Sequence, residues 1–187
     1  MIVGTRALEM LSEYRTNEVV VTTMSSARVW PTVTTRPDLD IPLKGCMGKA
    51  SSLGLGVALA RPDLKVIVLD GDGSLLMNLG ALVTVAGLAP RNLLHVVLQG
   101  STYDTSGGQP TPGQGVLDWA TLAKGAGYAM TATIDTEEQL SARWPGLLAA
   151  EGPVFVCIRV NSMWAFGSIP GLTGGVWQYA AATLAKV

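Results

Sequence analysis

Short β-branched runs and longer stretches with helical spacing alternate along the chain. The runs predict strands at residues 19–23, 66–69, 93–98, 128–134 and 154–160, and the stretches around them predict helices at 5–15, from near 26, 48–60, 74–86, 116–124 and 136–149. Strands that alternate with helices in this way build a parallel sheet with helices on both faces. The pattern therefore predicts an α/β fold with three layers.

The stretch at residues 74–86 is predicted to be one amphipathic helix that ends before Pro90. Residues 99–115 are predicted to form a loop, and the pattern assigns no element within 161–187. No internal repeat or low-complexity linker interrupts the chain, so we expect a single domain over residues 1–187. The apolar face of the predicted helix consists of Leu75, Leu79, Leu82, Val83 and Ala86.

The amino-acid composition limits which kinds of molecule the chain is expected to bind. Hydrophobic residues make up 48% of the 187 residues, which suffices for a proper core. Charged residues are only 14% and the net charge is −1, so there is no basic footprint for nucleic acid. The uncharged runs are too short or too interrupted to span a membrane. So few charges favour a surface that is buried against a partner protein.

The N-terminus and the cysteines indicate a cytoplasmic setting. Arg6 and Glu9 interrupt the N-terminal segment before an apolar stretch could form, so we expect no signal peptide. Cys46 and Cys157 lie in unrelated apolar contexts, which favours reduced core residues over a disulfide.

The first candidate site follows the second predicted strand. Gly71 and Gly73 allow a tight turn, and Ser74 begins the predicted helix, whose N–H groups and dipole attract a phosphate. Asp72 between them can hold the Mg²⁺ that neutralises a diphosphate. An ordinary turn explains this tripeptide equally well. A second glycine-rich loop beginning at Gly100 follows the next strand, and the pair of loops points to thiamine diphosphate.

Four segments resemble the cofactor-binding half of the phosphonopyruvate and sulfopyruvate decarboxylases. They are residues 45–52, 58–63, 71–73 and 92–111, and the resemblance spans about residues 18–160. Its most specific part is the Gly-Gly-Gln-Pro-Thr sequence at 107–111. The resemblance implies a thiamine-diphosphate-binding (diphosphate-domain) fold, a 2-oxo acid decarboxylase activity, and thiamine diphosphate and Mg²⁺ as cofactors.

The resemblance also implies roles for individual residues. Those expected to bind the cofactor are Thr23, Ser25, Gly45, Met47, Gly71, Gly73, Ser74, Tyr103, Asp104 and Thr105, and those expected at the metal are Asp72, Gly100 and Thr102 through its carbonyl. The hydroxyls of Thr22, Thr23, Ser25 and Ser26 equally suit a helix cap. Met47 in an apolar segment also suits core packing, and Asp104 also suits a turn. Gln109 and Thr111 could face the substrate.

Gly100 departs from the family pattern, which has an asparagine there as a metal ligand. Gln99 comes one residue earlier, so on an extended strand its side chain points to the opposite side. Three outcomes are open: Gln99 reaches round, water fills the gap, or the affinity for metal and cofactor is weakened or lost.

Other polar and glycine-rich features have two interpretations each. His95 lies in the middle of a predicted strand, where packing is more common than catalysis. Arg28 matches a family arginine that could bind an anion, and an exposed helix arginine is an equal alternative. Gly54 and Gly56 resemble a dinucleotide motif, but they lie within a predicted helix and the third glycine is missing.

Thiamine chemistry also needs a glutamate against the pyrimidine ring, which the family places on a separate domain. Only 70 residues precede Gly71, so we expect that glutamate and the pyrimidine-binding domain on a partner chain, an α-type subunit. The resemblance therefore implies the β-type subunit of a hetero-oligomeric carbon-carbon lyase that acts on 3-sulfopyruvate or 3-phosphonopyruvate, with no catalytic residue assigned in this chain. The alternative is a non-catalytic scaffold or binding subunit with a degenerate metal site.

Overall fold

The computed structural model describes residues 1–163. Its helices and strands alternate as the sequence predicts. The strands are β1 (Ile2–Val3), β2 (Val19–Thr23), β3 (Asp40–Leu43), β4 (Val66–Gly71), β5 (Leu93–Gln99), β6 (Thr102–Tyr103), β7 (Gln109–Pro110), β8 (Met130–Ile134) and β9 (Val154–Ser162); the helices are α1 (Gly4–Glu13), α2 (Met24–Val29), α3 (Ala50–Ala60), α4 (Asp72–Leu76), α5 (Ala81–Leu88), α6 (Trp119–Ala126) and α7 (Glu137–Ala149).

Seven of these strands form one parallel sheet in the order β1-β9-β5-β4-β2-β3. β8 pairs with the first part of β9, and β1 pairs with its end. β6 and β7 form a separate antiparallel hairpin in the loop after β5. The carboxyl ends of β2, β4 and β5 therefore lie side by side at one edge, where ligands bind in sheets of this kind.

Each face of the sheet packs against its own helices. Alternate residues of β4 divide between the faces: Ile67 and Leu69 belong to one buried cluster with α1 and α7, and Val66 and Val68 to another with α3, α5 and α6. Gly54 of α3 lies so close to the sheet that a Cβ there would come within 2.2 Å of Val68 Cγ2. This glycine serves helix-sheet packing, which removes the dinucleotide interpretation.

The predicted helix at residues 74–86 is wrong as a single element, because the structure divides it into α4 and α5. The amide of Asn78 donates to the carbonyl of Gly48 at 3.1 Å, and this contact lies between the two helices. The apolar face divides as well, since Leu75 and Leu82 are buried whereas Leu79 and Val83 are exposed.

Two strands of the sheet are missing from the sequence prediction. β1 has only two residues and pairs with the end of β9. Two residues are too few to show the alternation of buried and exposed positions that identifies a strand. β3 contains Pro42, which breaks a strand pattern but is tolerated because β3 is the edge strand beyond β2. A buried ion pair between Arg15 and Asp40, 2.7 Å long, fixes the start of β3.

Both cysteines are free thiols, as predicted. Cys157 is a core residue, but Cys46 is exposed, so its assignment to the core is wrong. Within residues 1–163, no helix combines the length and the apolar character that crossing a membrane requires. The segment to which the sequence pattern assigns no element, 161–187, is described only as far as residue 163, and residues 164–187 lie outside the described residues.

Candidate functional site

A cleft of about 450 Å³ opens at the carboxyl ends of β2, β4 and β5. It is lined by every residue predicted to bind cofactor or metal except Gly45. The lining residues are Thr23, Met24, Ser25, Ser26, Met47, Asp70, Gly71, Asp72, Gly73, Ser74, Leu98, Gly100, Thr102, Tyr103, Asp104, Thr105 and Met163. Neither Gln109 nor Thr111 lines this cleft.

Gly45 lines a neighbouring cavity of about 920 Å³ that shares Met24 and Thr105 with the cleft. Arg28 and Lys44 also line this cavity. Both are exposed, and neither forms a salt bridge within residues 1–163. A positive cavity thus adjoins the predicted site.

The turn from the end of β4 into the start of α4, called here the loop after β4, centres on Asp72. The side chain of Asp72 is almost fully buried. Its Oδ1 accepts the N–H of Gly73 and its Oδ2 accepts the N–H of Ser101, each at 2.8 Å. Burial raises the pKa of this carboxyl, the two N–H groups lower it, and the charge of Asp104 raises it further. The second hydrogen bond joins the loop after β4 to the loop after β5.

The helix after this loop differs from the prediction. α4 begins at Asp72 and has only five residues, so its dipole is small, and the N–H of Gly73 is already bonded to Asp72. The Ser74 hydroxyl accepts the N–H of Gly48 at 3.0 Å. A phosphate at this position would depend less on a helix dipole than the sequence suggests.

The segment 45–48 crosses over α4. Gly48 has φ +70° and is buried, and a Cβ there would lie 3.0 Å from Asn78 Cβ, so only glycine fits without displacement. The Thr23 hydroxyl donates to the Cys46 carbonyl at 3.4 Å. These contacts at 46 and 48 place Met47 between them, in the wall of the cleft.

The loop after β2 contributes backbone and hydroxyl groups. The Ser26 hydroxyl donates to the Leu69 carbonyl at 2.6 Å and accepts the N–H of Thr23 at 3.1 Å, so its single hydrogen is already engaged. Thr23 and Ser25 line the cleft. Met24 has φ +51°, an uncommon conformation for a residue with a side chain.

The loop after β5 turns through Ser101, which has φ +62°, and continues into the β6-β7 hairpin. The ring of Tyr103 packs directly on Gly73: a Cβ on that glycine would lie 2.6 Å from the ring. The two glycine-rich loops are therefore in direct contact, as a shared site requires.

The loop after β5 presents acceptor atoms unlike those of the family pattern. Gln99 does not reach round to the cleft, because its Oε1 accepts the thiol of Cys157 at 3.2 Å on the far side. Asp104 lies in the cleft, and its Oδ1 accepts the hydroxyl of Thr102. Gly100 provides no side chain.

His95 is buried away from the cleft. Its Nδ1 lies 3.1 Å from the Tyr128 hydroxyl and its Nε2 lies 3.6 Å from Asp70 Oδ2, while Phe155 packs edge-on against the ring. Burial, followed by the charge of Asp70, raises the pKa of Tyr128. The structure thus agrees with the packing interpretation of His95.

Sequence reasoning missed Met24, Asp70, Leu98 and Met163 as lining residues. Asp70 and Leu98 lie at the ends of β4 and β5, and the rule that ligands gather at strand ends could have found them. Met163 lies in the segment that the pattern left unassigned.

Comparison with known proteins identifies the domain. A family model described as "Thiamine pyrophosphate enzyme, C-terminal TPP binding domain" matches residues 19–158. The chain belongs to the thiamine pyrophosphate enzyme family. This match confirms the predicted fold class, and it supports thiamine diphosphate (thiamine pyrophosphate) as the cofactor.

The relatives of this thiamine pyrophosphate enzyme domain include the predicted decarboxylases. The chain is 40% identical over 151 residues to phosphonopyruvate decarboxylase of Streptomyces hygroscopicus, a match that covers 80% of this chain and 37% of that protein. It is 43% identical over 117 residues to sulfopyruvate decarboxylase subunit beta of Methanothermobacter thermautotrophicus, covering 63% and 60%. The chain thus spans less than two thirds of the length of either relative.

Solved structures give the same fold. A protein of Mycobacterium smegmatis described as a thiamin diphosphate-dependent enzyme aligns with a TM-score of 0.72 and 25% identity, over 85% of this chain and 32% of that one. Benzoylformate decarboxylase of Polynucleobacter necessarius aligns with a TM-score of 0.64 and 22% identity, over 83% and 32%.

The chemistry of the cleft fits a diphosphate only together with a cation. None of its lining residues within 1–163 is lysine or arginine, whereas Asp70, Asp72 and Asp104 are acidic. A diphosphate would be repelled here unless a divalent ion lay between the anions. Carboxylate and carbonyl oxygens are the ligands that Mg²⁺ prefers, and the cleft offers both.

Proposed function

We propose that this chain is the diphosphate- and Mg²⁺-binding subunit of a thiamine-diphosphate-dependent 2-oxo acid decarboxylase. Its substrate is 3-sulfopyruvate or 3-phosphonopyruvate, which is converted without oxidation to the aldehyde and CO₂. The observation that supports this best is the cleft in which Asp72 joins the loops after β4 and β5, within a thiamine pyrophosphate enzyme domain.

Each part of the cleft has a role in this proposal. Asp72 and the carbonyl of Thr102 hold Mg²⁺, while Thr23, Ser25 and the N–H groups of the loop after β5 contact the diphosphate. Met47 packs against the cofactor from the crossing segment. Bound thiamine diphosphate supplies the electron sink that lets CO₂ leave a 2-oxo acid.

An anionic substrate is supported by the neighbouring cavity. Arg28 and Lys44 place two positive charges beside the cleft, with Thr105 between the two spaces. A sulfonate or phosphonate group is a tetrahedral anion that such cations attract. This cavity favours a 2-oxo acid with a second anionic group over an apolar one such as benzoylformate.

A partner subunit is supported by exposed apolar side chains. Met77, Leu79 and Val83 lie in the segment that follows the Asp72 loop, and 64% of Val83 is exposed. Exposed apolar groups that are close together are typical of protein interfaces. The relative from Methanothermobacter is itself named as a beta subunit. We infer that an α-type, pyrimidine-binding subunit covers this surface and supplies the activating glutamate.

A non-catalytic scaffold is the second candidate, and Gly100 is the observation that favours it. With no amide at that position, the metal could be lost while the fold remains. The two candidates differ in whether the purified chain binds cofactor.

Titration calorimetry with thiamine diphosphate and Mg²⁺ tests the proposal, with the chain alone and mixed with its partner. We expect metal-dependent binding that Asp72→Ala weakens by about 100-fold or more, because the ion loses the carboxylate that joins the two loops. Asp63→Asn removes the same charge from a distant, exposed position and is the matched control. Failure of the wild-type mixture to bind would leave the scaffold function.

Substrate choice is tested in the reconstituted complex. Arg28→Gln should raise the KM for sulfopyruvate or phosphonopyruvate more than the KM for pyruvate, which has no second anion. Equal effects on all three substrates would contradict the role of this cavity.

A further inference from the structure

The cleft has room for a metal ligand beside Gly100. Among the described residues, a Cβ placed on this glycine meets Val160 Cγ2 at 3.8 Å and Asp104 Oδ2 at 4.0 Å and no other atom within 4 Å, and both are ordinary contact distances. The Oδ2 atom of Asp104 therefore lies next to the space that a side chain at residue 100 would occupy.

Asp104 is held so that one of its oxygens stays available. Its Oδ1 accepts the Thr102 hydroxyl, and the turn that carries it is closed by the N–H groups of Ser106 and Gly108 on the Tyr103 carbonyl, at 2.9 and 3.0 Å. Within the described residues, Oδ2 accepts no hydrogen bond. A residue needed only for the turn would not have to present this oxygen to the cleft.

We propose that Asp104 replaces the missing amide of residue 100 as a side-chain ligand of the divalent ion. This inference rests on the proposed function, since it concerns the metal that accompanies the diphosphate. The ion would then be held between Asp72 of one loop and Asp104 of the other, with the Thr102 carbonyl beside it.

Charge supports this assignment. The charge of Asp104 acts on the carboxyl of Asp72, and both side chains line a cleft that has no lysine or arginine among its described residues. A second carboxylate beside a diphosphate site opposes binding unless a cation lies between them. Gln99, the other side chain that could have replaced the amide, is engaged by Cys157.

The test is a double-mutant cycle in which the affinity for Mn²⁺ is measured. Mn²⁺ is used because it replaces Mg²⁺ at sites with oxygen ligands, and because electron paramagnetic resonance measures the concentration of free Mn²⁺. The full chain is titrated in the presence of thiamine diphosphate, with its partner. In the wild-type background, Asp104→Ala, which removes both carboxylate oxygens without supplying an amide, should weaken Mn²⁺ binding by about tenfold or more.

Gly100→Asn then restores the family's amide at a position where a Cβ makes only ordinary contacts with the described residues. In that background the loss caused by Asp104→Ala should shrink to about twofold or less, because the ion already has its ligand. Asp63→Asn controls for net charge, and thermal unfolding of each variant controls for folding. A merely structural role of Asp104 would not be rescued by Gly100→Asn.

Two results would overturn the inference, and they are distinguishable. If wild type binds Mn²⁺ and Asp72→Ala abolishes it, but Asp104→Ala changes the affinity by less than about twofold, then Asp104 is not a ligand and the proposed function stands. If wild type binds no Mn²⁺ with cofactor and partner present, both the inference and the proposed function fail.

Discussion

The loops after β4 and β5 form the two sides of one cleft, but they are built differently. The loop after β4 is compact: Asp72 is flanked by two glycines, and both of its carboxylate oxygens are bonded to backbone N–H groups. The loop after β5 is longer, turns through Ser101 in a left-handed conformation, and presents Asp104 with one oxygen that accepts no hydrogen bond from residues 1–163. A binding motif read from one loop therefore does not determine what the opposite loop supplies.

The largest expected effect comes from forcing the two loops apart. Gly73→Ala places a methyl group 2.6 Å from the Tyr103 ring, so the ring and its hairpin must move. We expect a loss of about 1–3 kcal/mol in the free energy of unfolding, seen as a fall of roughly 3–10 °C in Tm. Cofactor affinity, measured by calorimetry, should fall with it.

Gly71→Ala is the matched control, because a Cβ there meets nothing within 4 Å. It should change Tm far less than Gly73→Ala. Adding Tyr103→Ala to Gly73→Ala should recover part of the lost stability by removing the clash. Equal destabilisation by both alanines would mean that contact between the loops is unimportant.

A smaller effect, of opposite sign, is expected at the turn of the loop after β5. Ser101 has φ +62°, a conformation that costs a residue with a side chain about 1–2 kcal/mol. Ser101→Gly should therefore raise the free energy of unfolding by about 0.5–1 kcal/mol after the added entropy of the unfolded chain is subtracted. Denaturant unfolding measures the difference.

Ser106→Gly in the same loop is the control, because Ser106 is exposed and its φ is not positive. It should lower stability by up to about 1 kcal/mol. If Ser101→Gly also destabilises the protein, the turn is not strained.

The smallest effect tests whether Gln99 contributes to the cleft. Its amide is occupied by Cys157, so Gln99→Ala should leave Mn²⁺ affinity within about twofold of wild type. A larger loss would mean that Gln99 turns toward the metal.

The reactivity of the two thiols tests whether Cys157, the partner of Gln99, is buried. Burial raises the pKa of Cys157 to about 12, so the thiol stays protonated at pH 8 and only the exposed Cys46 should react with a disulfide reagent in the folded protein. Because burial disfavours the thiolate, this raised pKa leaves the free energy of unfolding unchanged below the usual thiol pKa of about 8.5 and lowers it as pH rises from there through about 12. Rapid reaction of both thiols at pH 8 would contradict this burial.

Much of the sheet and cleft could be predicted because each signal lies in contiguous residues. β2 has the predicted bounds, and the strands around Val68 and Val96 needed only small extensions. A buried parallel strand is a continuous apolar run, which is visible without any knowledge of its neighbours.

The remaining features depend on contacts between distant residues. The break between α4 and α5 coincides with the contact from Asn78 to Gly48, thirty residues earlier in the chain. The availability of the Asp104 Oδ2 atom depends on the bond of Oδ1 to Thr102 and on the absence of a side chain at Gly100. No local pattern carries such information.

The strand order has a consequence for how the cleft is assembled during synthesis. β5 pairs on one edge with β4, which precedes it, and on the other with β9, which begins only at Val154. A nascent chain that has emerged through α7 therefore carries β5 with one edge unpaired, and such edges can capture other chains. The side of the cleft at Gly100 therefore stays incomplete until Val160 of β9 docks beside it.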